Sequence, residues 1–168
     1  MMKIDKNIVL IGMPGCGKST IGKRVAKKLG LNFCDIDEYL VKKQGISIPE
    51  IFKQGEEHFR DIETQCVKDV SKYANTVIST GGGVVKRKEN IFALKEKGIV
   101  IFINRPIENI VSDVDTESRP LLKDDISRLY KLYEERYKLY KEYCDHEVIN
   151  NGQFIDAVEK ILDIAKIL

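Results

Sequence analysis

Short apolar runs along the chain alternate with longer segments in which apolar residues recur every three or four positions. The short runs predict five β-strands, at residues 8–11, 32–36, 76–79, 99–103 and 147–149. The longer segments predict helices, among them one that follows residue 18 and ends at Gly30. Strands that alternate with helices in this way predict an α/β fold, in which helices cover both faces of a mostly parallel sheet.

Three further segments refine this prediction. Ser47 and Glu50 have the spacing of a capping box that begins a short helix, and residues 56–73 predict a longer helix. Residues 154–165 carry apolar side chains on one helix face, which favours burial against the core. Residues 112–125 are polar, acidic and poor in apolar anchors, which is typical of a mobile lid.

The composition favours one domain and narrows the range of partners. A length of 168 residues suits a single domain, residues 1–168, with a substantial core. The 28 basic and 26 acidic residues are interspersed, so we expect no nucleic-acid partner. The first apolar run is too short for a signal or a membrane span, and the four cysteines form no C-x-x-C pair. We therefore expect a cytoplasmic protein with reduced thiols and no membrane partner.

The sequence GMPGCGKST at residues 12–20 fits the pattern G-x-x-x-x-G-K-[ST] of a nucleotide-binding P-loop. Glycines at its tight positions let backbone N–H groups wrap around a phosphate, which side chains would obstruct. Lys18 can reach the β- and γ-phosphates, and the Ser19 hydroxyl can bind Mg²⁺. A predicted strand precedes the loop and a predicted helix follows it, as phosphate binding requires. We expect the small Cys16 side chain to face away from the phosphates.

Asp35 and Asp37 lie at the end of the second predicted strand and admit two interpretations. In an extended segment, alternation points both carboxylates to one side, with one near Mg²⁺ and the other near a hydroxyl to be phosphorylated. Alternatively, Asp35 caps a helix and Asp37 belongs to its acidic first turn. The upstream P-loop favours a functional role for the pair.

Three arginines and a run of glycines complete the candidate site residues. Arg60 and Glu63 share a helix face, which by itself is typical of an exposed i,i+3 pair. Arg119 lies in the polar stretch and Arg136 on a predicted helix, and each alone is compatible with ordinary surface charge. Residues 81–83 are consecutive glycines, which are costly in chain entropy. That cost favours a backbone that closely approaches a ligand over a close-packed turn.

Together, the order and spacing of these motifs resemble the shikimate kinase family, a small group within the nucleoside-monophosphate-kinase-like P-loop proteins, over nearly the whole chain. The matching motifs are residues 12–20, Asp35-Ile36-Asp37, Phe59-Arg60, residues 81–83, Arg119-Pro120-Leu121-Leu122 and Arg136. The resemblance implies a three-layer α/β/α P-loop kinase fold with a five-stranded parallel sheet, a shikimate-binding region over residues 37–63 and a lid around Arg119. It also implies that the protein transfers a phosphoryl group from ATP to the 3-hydroxyl of shikimate, with one Mg²⁺ per subunit. This reaction is a step of chorismate and aromatic amino-acid biosynthesis. The resemblance further implies a monomer.

The resemblance also implies a role for each matching residue. Asp37 contacts the hydroxyl that is phosphorylated, and whether it removes the proton or mainly orients the hydroxyl stays open. Lys18 and Arg119 surround the transferred phosphoryl group, Ser19 binds Mg²⁺ directly, and Asp35 anchors the metal from the second layer. The implied substrate-binding residues are Asp37, Arg60, Glu63, Gly81, Gly82, Gly83 and Arg136, and those for ATP are Gly15, Cys16, Gly17, Lys18, Ser19, Thr20 and Arg119. We expect Phe52 and Phe59 to form an apolar wall beside the carbocycle.

Two features depart from the family pattern at the adenine end. Family members commonly have another arginine seven residues before the lid arginine, placed to stack on adenine, whereas this chain has Ser112. Near the last strand, where many members carry a basic residue, the sequence is Asn150-Asn151-Gly152. We therefore expect backbone and amide contacts to adenine and weaker ATP binding.

Two other functions fit parts of the pattern. A related small-molecule kinase such as a gluconate kinase shares the fold, although it gives no reason for two arginines together with the acidic pair and the glycine run. A non-catalytic module that uses its P-loop only to order a lid gives no reason for Asp37 and Arg119.

Overall fold

The computed structural model describes residues 3–113 and 122–168, with side chains in the second range described from residue 125 onward. The strands in these ranges are β1 (Asn7–Ile11), β2 (Asn32–Asp35), β3 (Thr76–Ser79), β4 (Gly98–Asn104) and β5 (His146–Ile149). The helices are α1 (Lys18–Leu29), α2 (Ile36–Gln44), α3 (Ile48–Phe52), α4 (Glu56–Val70), α5 (Lys88–Lys97), α6 (Ile107–Ser112), α7 (Leu122–Tyr143) and α8 (Phe154–Ala165). A single 3₁₀ turn, Val84–Lys86, precedes α5.

The predicted strands are confirmed, each to within one residue at either end. The capping box is also confirmed, because the Ser47 hydroxyl accepts a hydrogen bond from the N–H of Glu50 at 3.4 Å. Ser112 is the last residue of α6, and Asp125 lies in the first turn of α7. The predicted lid at residues 112–125, around Arg119, otherwise lies for the most part outside the described residues.

The strands pair in the order β2-β3-β1-β4-β5, and every pairing is parallel. Parallel crossovers are right-handed, so the direction in which the chain crosses the sheet decides the face on which each helix lies. From β1 to β2 the chain moves toward one edge, and in every later crossover it moves the other way. The helix α1 therefore lies on one face, where α8 packs against it, and α2 through α7 lie on the other. The predicted three-layer α/β/α architecture is confirmed.

The sheet is also the centre of the apolar core. Every residue of β1 is buried, as are the first six of β4, because helices cover both of their faces. Their continuous runs of β-branched and aliphatic residues are typical of strands inside a parallel sheet. The apolar face of α8, with Val158 and Ile161 fully buried, joins the same core. The sheet consequently gives a rigid base to the loops at its ends.

The carboxyl ends of β1, β2 and β3 meet at one edge of the sheet. Ser79, the last residue of β3, pairs with Leu10 on one side and with Asp35 on the other. The P-loop follows β1, Asp35 is the last residue of β2, and the glycine run begins two residues after β3. In open α/β sheets, ligands bind beyond such strand ends where the strand order changes direction. The fold thus gathers three of the predicted motifs at one place.

We predict that Asn7→Ala lowers the free energy of unfolding by about 2–3 kcal/mol. The Asn7 side chain donates to the Tyr73 carbonyl at 2.9 Å and accepts from the N–H of Thr76 at 3.0 Å. The variant leaves both backbone groups without this partner at a buried site. Urea denaturation measures the change, and Asn32→Ala, at the exposed start of β2, is the control. A change below about 0.5 kcal/mol at Asn7 would contradict the prediction.

Candidate active site

The P-loop joins β1 to α1 in a tight turn. Gly15 and Gly17 have φ angles of 81° and 99°, in the left-handed region that glycine alone adopts without strain. Lys18 is buried, and its ammonium group donates to the carbonyls of Gly12 at 2.7 Å and Met13 at 3.0 Å. Cys16 is fully buried beneath the loop, where a side chain at Gly12 would collide with its sulfur atom. The loop therefore presents backbone and Lys18 rather than bulky side chains.

Three oxygen-bearing side chains lie together beside the P-loop. The Ser19 hydroxyl donates to the Oδ2 atom of Asp35 at 2.6 Å and lies 3.2 Å from the Ser79 hydroxyl. The described residues contain no group of three or more His, Cys, Asp or Glu side chains that would enclose a metal by themselves. Mg²⁺ favours hard oxygen ligands and is often held by one or two protein oxygens together with phosphates and water. The residues present fit that mode of binding.

The expectation that Asp35 and Asp37 lie in one extended segment is wrong. Asp35 caps α2, and its Oδ1 atom accepts the N–H groups of Asp37 at 2.9 Å and Glu38 at 3.2 Å. The helix begins at Ile36 because this cap satisfies its first backbone donors. Asp37 then lies in the first turn, and both carboxylates still line one pocket together with Lys18. The helical alternative is thus the observed geometry, and the carboxylates of Asp35 and Asp37 nevertheless face the same pocket.

Asp37 has a strongly perturbed pKa. Burial above all, together with the negative charges of Asp35 and Glu63, raises its pKa from 3.8 to about 6 against the opposing effects of Lys18 and Arg60. A carboxylate with a pKa near neutrality is suited to accept a proton or a hydrogen bond from a hydroxyl. Perturbation by burial and by named charges, in a cleft, is typical of functional residues.

Two cavities meet at Asp37. A pocket of about 340 Å³ lies along the P-loop, and a larger one of about 690 Å³ lies on the other side. Pro14, Asp37 and Gly82 line both cavities. The larger cavity, called the acceptor cavity below, is otherwise lined by residues of α3, α4, the turn after β3 and α7. A group bound in the P-loop pocket and a group bound in the acceptor cavity would therefore come together beside Asp37.

Arg60 and Glu63 do not form the exposed i,i+3 pair of which their spacing alone is typical. Their side chains are only 7% and 1% exposed, and Nη1 of Arg60 lies 2.7 Å from Oε1 of Glu63. Glu56 approaches the same guanidinium at 3.4 Å, which gives Arg60 a second carboxylate on α4. A buried charge is stable only when it is paired and hydrogen-bonded. Glu63 therefore fixes the position of Arg60 on the wall of the acceptor cavity.

Arg136 reaches the same cavity from α7. Its side chain is buried, and its Nε atom has no hydrogen-bond partner among the described residues. Buried polar groups nearly always have a partner, so an unpaired guanidinium N–H that lines a cavity is suited to binding an anionic ligand. The rings of Phe52 and Phe59 stack at 4.4 Å between centroids and give the cavity an apolar wall, as expected.

The glycine run packs closely against charged side chains. A side chain at Gly83 would collide with the Arg60 guanidinium, and one at Gly81 would lie 3.0 Å from oxygens of Asp37 and Glu63. At Gly82 it would meet Pro14 at 2.8 Å. All three glycines line the acceptor cavity. The close approach is therefore to side chains that themselves face the cavity, and glycine is required for that reason.

A third cavity of about 540 Å³ continues from the P-loop pocket on the side away from Asp37. The two share Gly15, Gly17 and Thr20. Ser112 does not extend toward it, because its hydroxyl donates to the Asn109 carbonyl at 2.8 Å. Arg105 lines the cavity instead and donates to the Gly15 carbonyl at 2.9 Å.

Sequence reasoning identified Asn150 but missed Arg105 and Tyr140. The Asn150 amide donates to the Cys16 carbonyl at 2.9 Å, which ties the end of the last strand to the P-loop. Tyr140, fully buried, donates to the Gly82 carbonyl at 2.6 Å. Its spacing of four residues from Arg136 places both on one helix face, and this was the available signal. Arg105 carried no comparable signal, because only the fold brings it to the P-loop.

These features define a class of protein. A P-loop beside a second cavity, with an ionisable carboxylate at their junction and two buried arginines in the second cavity, is the site of a phosphotransferase that acts on a small anionic acceptor. No helix in the described part of the chain is long and apolar enough to cross a membrane.

Comparison with known proteins identifies the family within this class of phosphotransferases. A family model described as shikimate kinase matches residues 14–166. A shikimate kinase of Clostridium botulinum (strain Eklund 17B / Type B) is 53% identical over 98% of this chain and 98% of its own length. The solved shikimate kinase of Acinetobacter baumannii in complex with shikimate has a TM-score of 0.85 and 34% identity, covering 95% of this chain and 92% of that one. The Aquifex aeolicus enzyme has a TM-score of 0.82 and 38% identity, with 95% of both chains covered. The chain belongs to the shikimate kinase family.

We predict that Asp37→Asn stabilises the ligand-free protein at neutral pH. The folded state raises the pKa of Asp37, so its contribution to stability is complete below 3.8 and is lost as pH rises through about 6. The variant carries no charge to be destabilised, so its free energy of unfolding should exceed the wild-type value by about 2 kcal/mol at pH 7.5. The difference should shrink toward pH 4.

Urea denaturation at pH 7.5 and 4.5 measures this difference. Asp113→Asn is the control of opposite sign, because Arg105 lowers the pKa of Asp113 and the variant should not be stabilised at pH 7.5. A destabilised Asp37→Asn protein at pH 7.5 would contradict the prediction.

Proposed function

We propose that this chain transfers the γ-phosphoryl group of ATP to the 3-hydroxyl of shikimate, giving shikimate 3-phosphate and ADP in the biosynthesis of chorismate and aromatic amino acids. Membership of the shikimate kinase family supports this activity. The observation that carries it is the position of Asp37, which lines both the P-loop pocket and the acceptor cavity. The acceptor cavity also contains the donors that a carboxylated polyol requires.

The acceptor is held by its carboxylate and its ring. Arg60 and Arg136 bind the carboxylate, because planar guanidinium groups match it and Arg136 has an unpaired Nε in the cavity. Glu63 keeps Arg60 in place through their buried ion pair. The backbone of Gly81, Gly82 and Gly83 binds ring hydroxyls, while Phe52 and Phe59 pack against the carbocycle. Together these contacts direct one hydroxyl toward Asp37.

ATP binds with its phosphates on the P-loop. Backbone N–H groups of Gly15, Cys16 and Gly17, the N-terminus of α1 and the Lys18 ammonium group all favour negative charge there. Thr20 extends the phosphate site, and the adjoining cavity between Arg105 and Asn150 takes the nucleoside. Ser19 would bind Mg²⁺ directly, and Asp35, which accepts a hydrogen bond from the Ser19 hydroxyl at 2.6 Å, would anchor the metal indirectly. Bound Mg²⁺ would supply a positive charge that neutralises the phosphates.

The transfer itself needs little covalent chemistry from the protein. The acceptor oxygen forms a bond to the γ-phosphorus as the bond from that phosphorus to the bridging oxygen of ADP breaks. Asp37 accepts the hydrogen bond of the attacking hydroxyl and takes up its proton. Lys18 stabilises the charge on the transferred group, and Arg119, outside the described residues, is assigned the same role. Positioning and charge neutralisation provide most of the rate.

We further propose that the chain works as a monomer and a single domain, residues 1–168, in the cytoplasm, without nucleic-acid or membrane partners. The two cavities that meet at Asp37 are lined by residues of one chain, which supports catalysis without a second subunit. The mixed surface charge, with a net value of +2, supports the absence of a nucleic-acid partner.

The test of the activity is ADP release with and without shikimate. We expect turnover that depends on shikimate and on Mg²⁺, and none with gluconate as acceptor. Asp37→Asn should reduce turnover by at least about 1000-fold while ADP binding, measured by calorimetry, stays within about twofold. Because this variant is expected to be stable, unfolding would not explain the loss. Turnover with another acceptor only, or near-normal turnover by Asp37→Asn, would refute the proposal.

We predict that Arg136→Ala weakens shikimate binding by about 10- to 150-fold, because a charge-assisted hydrogen bond contributes about 1.5–3 kcal/mol. Calorimetric titration with shikimate measures the change. Lys138→Ala, which removes an exposed charge from the same helix, is the control. Arg60→Ala should weaken binding similarly but also lower the melting temperature, because it leaves Glu63 buried without its nearest cation. Unchanged shikimate affinity in both arginine variants would contradict the carboxylate clamp.

A further inference from the structure

We propose that Tyr140 is a positioning residue that fixes the peptide unit between Gly82 and Gly83 and thereby directs the Gly83 N–H toward the bound acceptor. The inference rests on the proposed function, because the acceptor is taken to be shikimate. Tyr140 does not line the acceptor cavity, so it acts through the glycine run rather than by touching the substrate.

The hydrogen bond from Tyr140 is short and buried. Its hydroxyl donates to the Gly82 carbonyl at 2.6 Å, and the residue is 0% exposed. Burial raises the pKa of Tyr140 against the opposing effect of Arg136, so the hydroxyl keeps its proton and remains a donor at neutral pH. The ring stacks on Phe102 of β4 at 5.1 Å between centroids. The donor is therefore held in place by the central sheet.

The carbonyls of the glycine run are each held by one donor. The Gly81 carbonyl accepts from the N–H of Val84 and the Gly83 carbonyl from the N–H of Lys86, both at 3.1 Å. These two contacts belong to the local turn that leads into α5. The Gly82 carbonyl is held by Tyr140 of α7, 58 positions further along the chain. The middle peptide is thus fixed by tertiary structure, whereas its neighbours are fixed by local structure.

Fixing this carbonyl also fixes an amide. The described peptide bonds are all trans, so the Gly83 N–H points opposite to the Gly82 carbonyl and hence away from Tyr140. Among the described residues, no protein acceptor pairs with the N–H of Gly82 or of Gly83. Both glycines line the acceptor cavity. Without a side chain, a glycine peptide can rotate through several orientations, so an external contact is needed to select one.

The same helix supplies the neighbouring cation. Arg136 precedes Tyr140 by one helical turn, and its Nη1 atom lies 3.2 Å from the position that a Gly82 side chain would occupy. One face of α7 therefore aligns a backbone donor and a guanidinium along one wall of the acceptor cavity. This arrangement predicts an effect on acceptor binding rather than on nucleotide binding.

The experiment compares Tyr140→Phe with Tyr137→Phe. The first removes the hydroxyl and keeps the ring that packs on Phe102; the second removes a hydroxyl from the same helix, on a residue that also contacts Phe102. For Tyr140→Phe we expect shikimate Kd and KM to rise about tenfold, with kcat and the ADP Kd within about twofold. The Gly83 amide should shift in the ¹⁵N–¹H spectrum and exchange its proton faster. Tyr137→Phe should change none of these values.

The outcomes separate this inference from the proposed function. Unchanged shikimate affinity in Tyr140→Phe, or parallel losses of shikimate and ADP affinity with a lower melting temperature, would overturn the positioning role. If the wild-type protein neither binds nor phosphorylates shikimate, the proposed function fails instead. In that case the Gly83 amide still decides the positioning role, because an unchanged resonance and exchange rate in Tyr140→Phe would refute it.

Discussion

The parallel pairing of β1, β2 and β3 is the constraint on which the site depends. Because Ser79 pairs with Leu10 and Asp35, the P-loop, the acidic cap of α2 and the glycine run begin at the same edge of the sheet. All residues of β1 and β3 are buried, so these two strands cannot shift in register without exposing apolar side chains. The packing of the core therefore sets the distances between the functional groups, and the loops contribute only the remaining residues of the site.

Bringing these groups together creates a conflict of charge. Burial raises the pKa of Asp37 most, the nearby charges of Asp35 and Glu63 raise it further, and Lys18 and Arg60 only partly offset these effects. The protein thus holds an ionised carboxylate at neutral pH at a cost in stability. A site that is less stable than its surroundings is common where a residue must exchange protons or hydrogen bonds with a substrate. In this chain of the shikimate kinase family, the conflict lies at the junction of the two cavities.

Much of the fold was predictable because its signals are local. Apolar runs located the strands to within one residue, and Ser47 and Gly30 marked helix ends through capping and the left-handed conformation. The errors arose where local and tertiary effects compete. Arg60 and Glu63 have the spacing of an exposed pair and are buried, since nothing in an i,i+3 spacing shows which face of a helix the rest of the chain covers.

The sequence by itself determined the P-loop, the order of the motifs along the chain and the family resemblance, because glycine positions and residue spacing directly reflect backbone requirements. Only the tertiary structure decided that Asp37 lies between two cavities, that Arg105 rather than Ser112 lies beside the P-loop and that the Tyr140 hydroxyl binds the Gly82 carbonyl. The contact of Arg105 with Gly15 joins residues 90 positions apart in the chain, and that of Tyr140 with Gly82 joins residues 58 positions apart. Contacts at such separations depend on how whole helices pack on the sheet, and no local pattern encodes them.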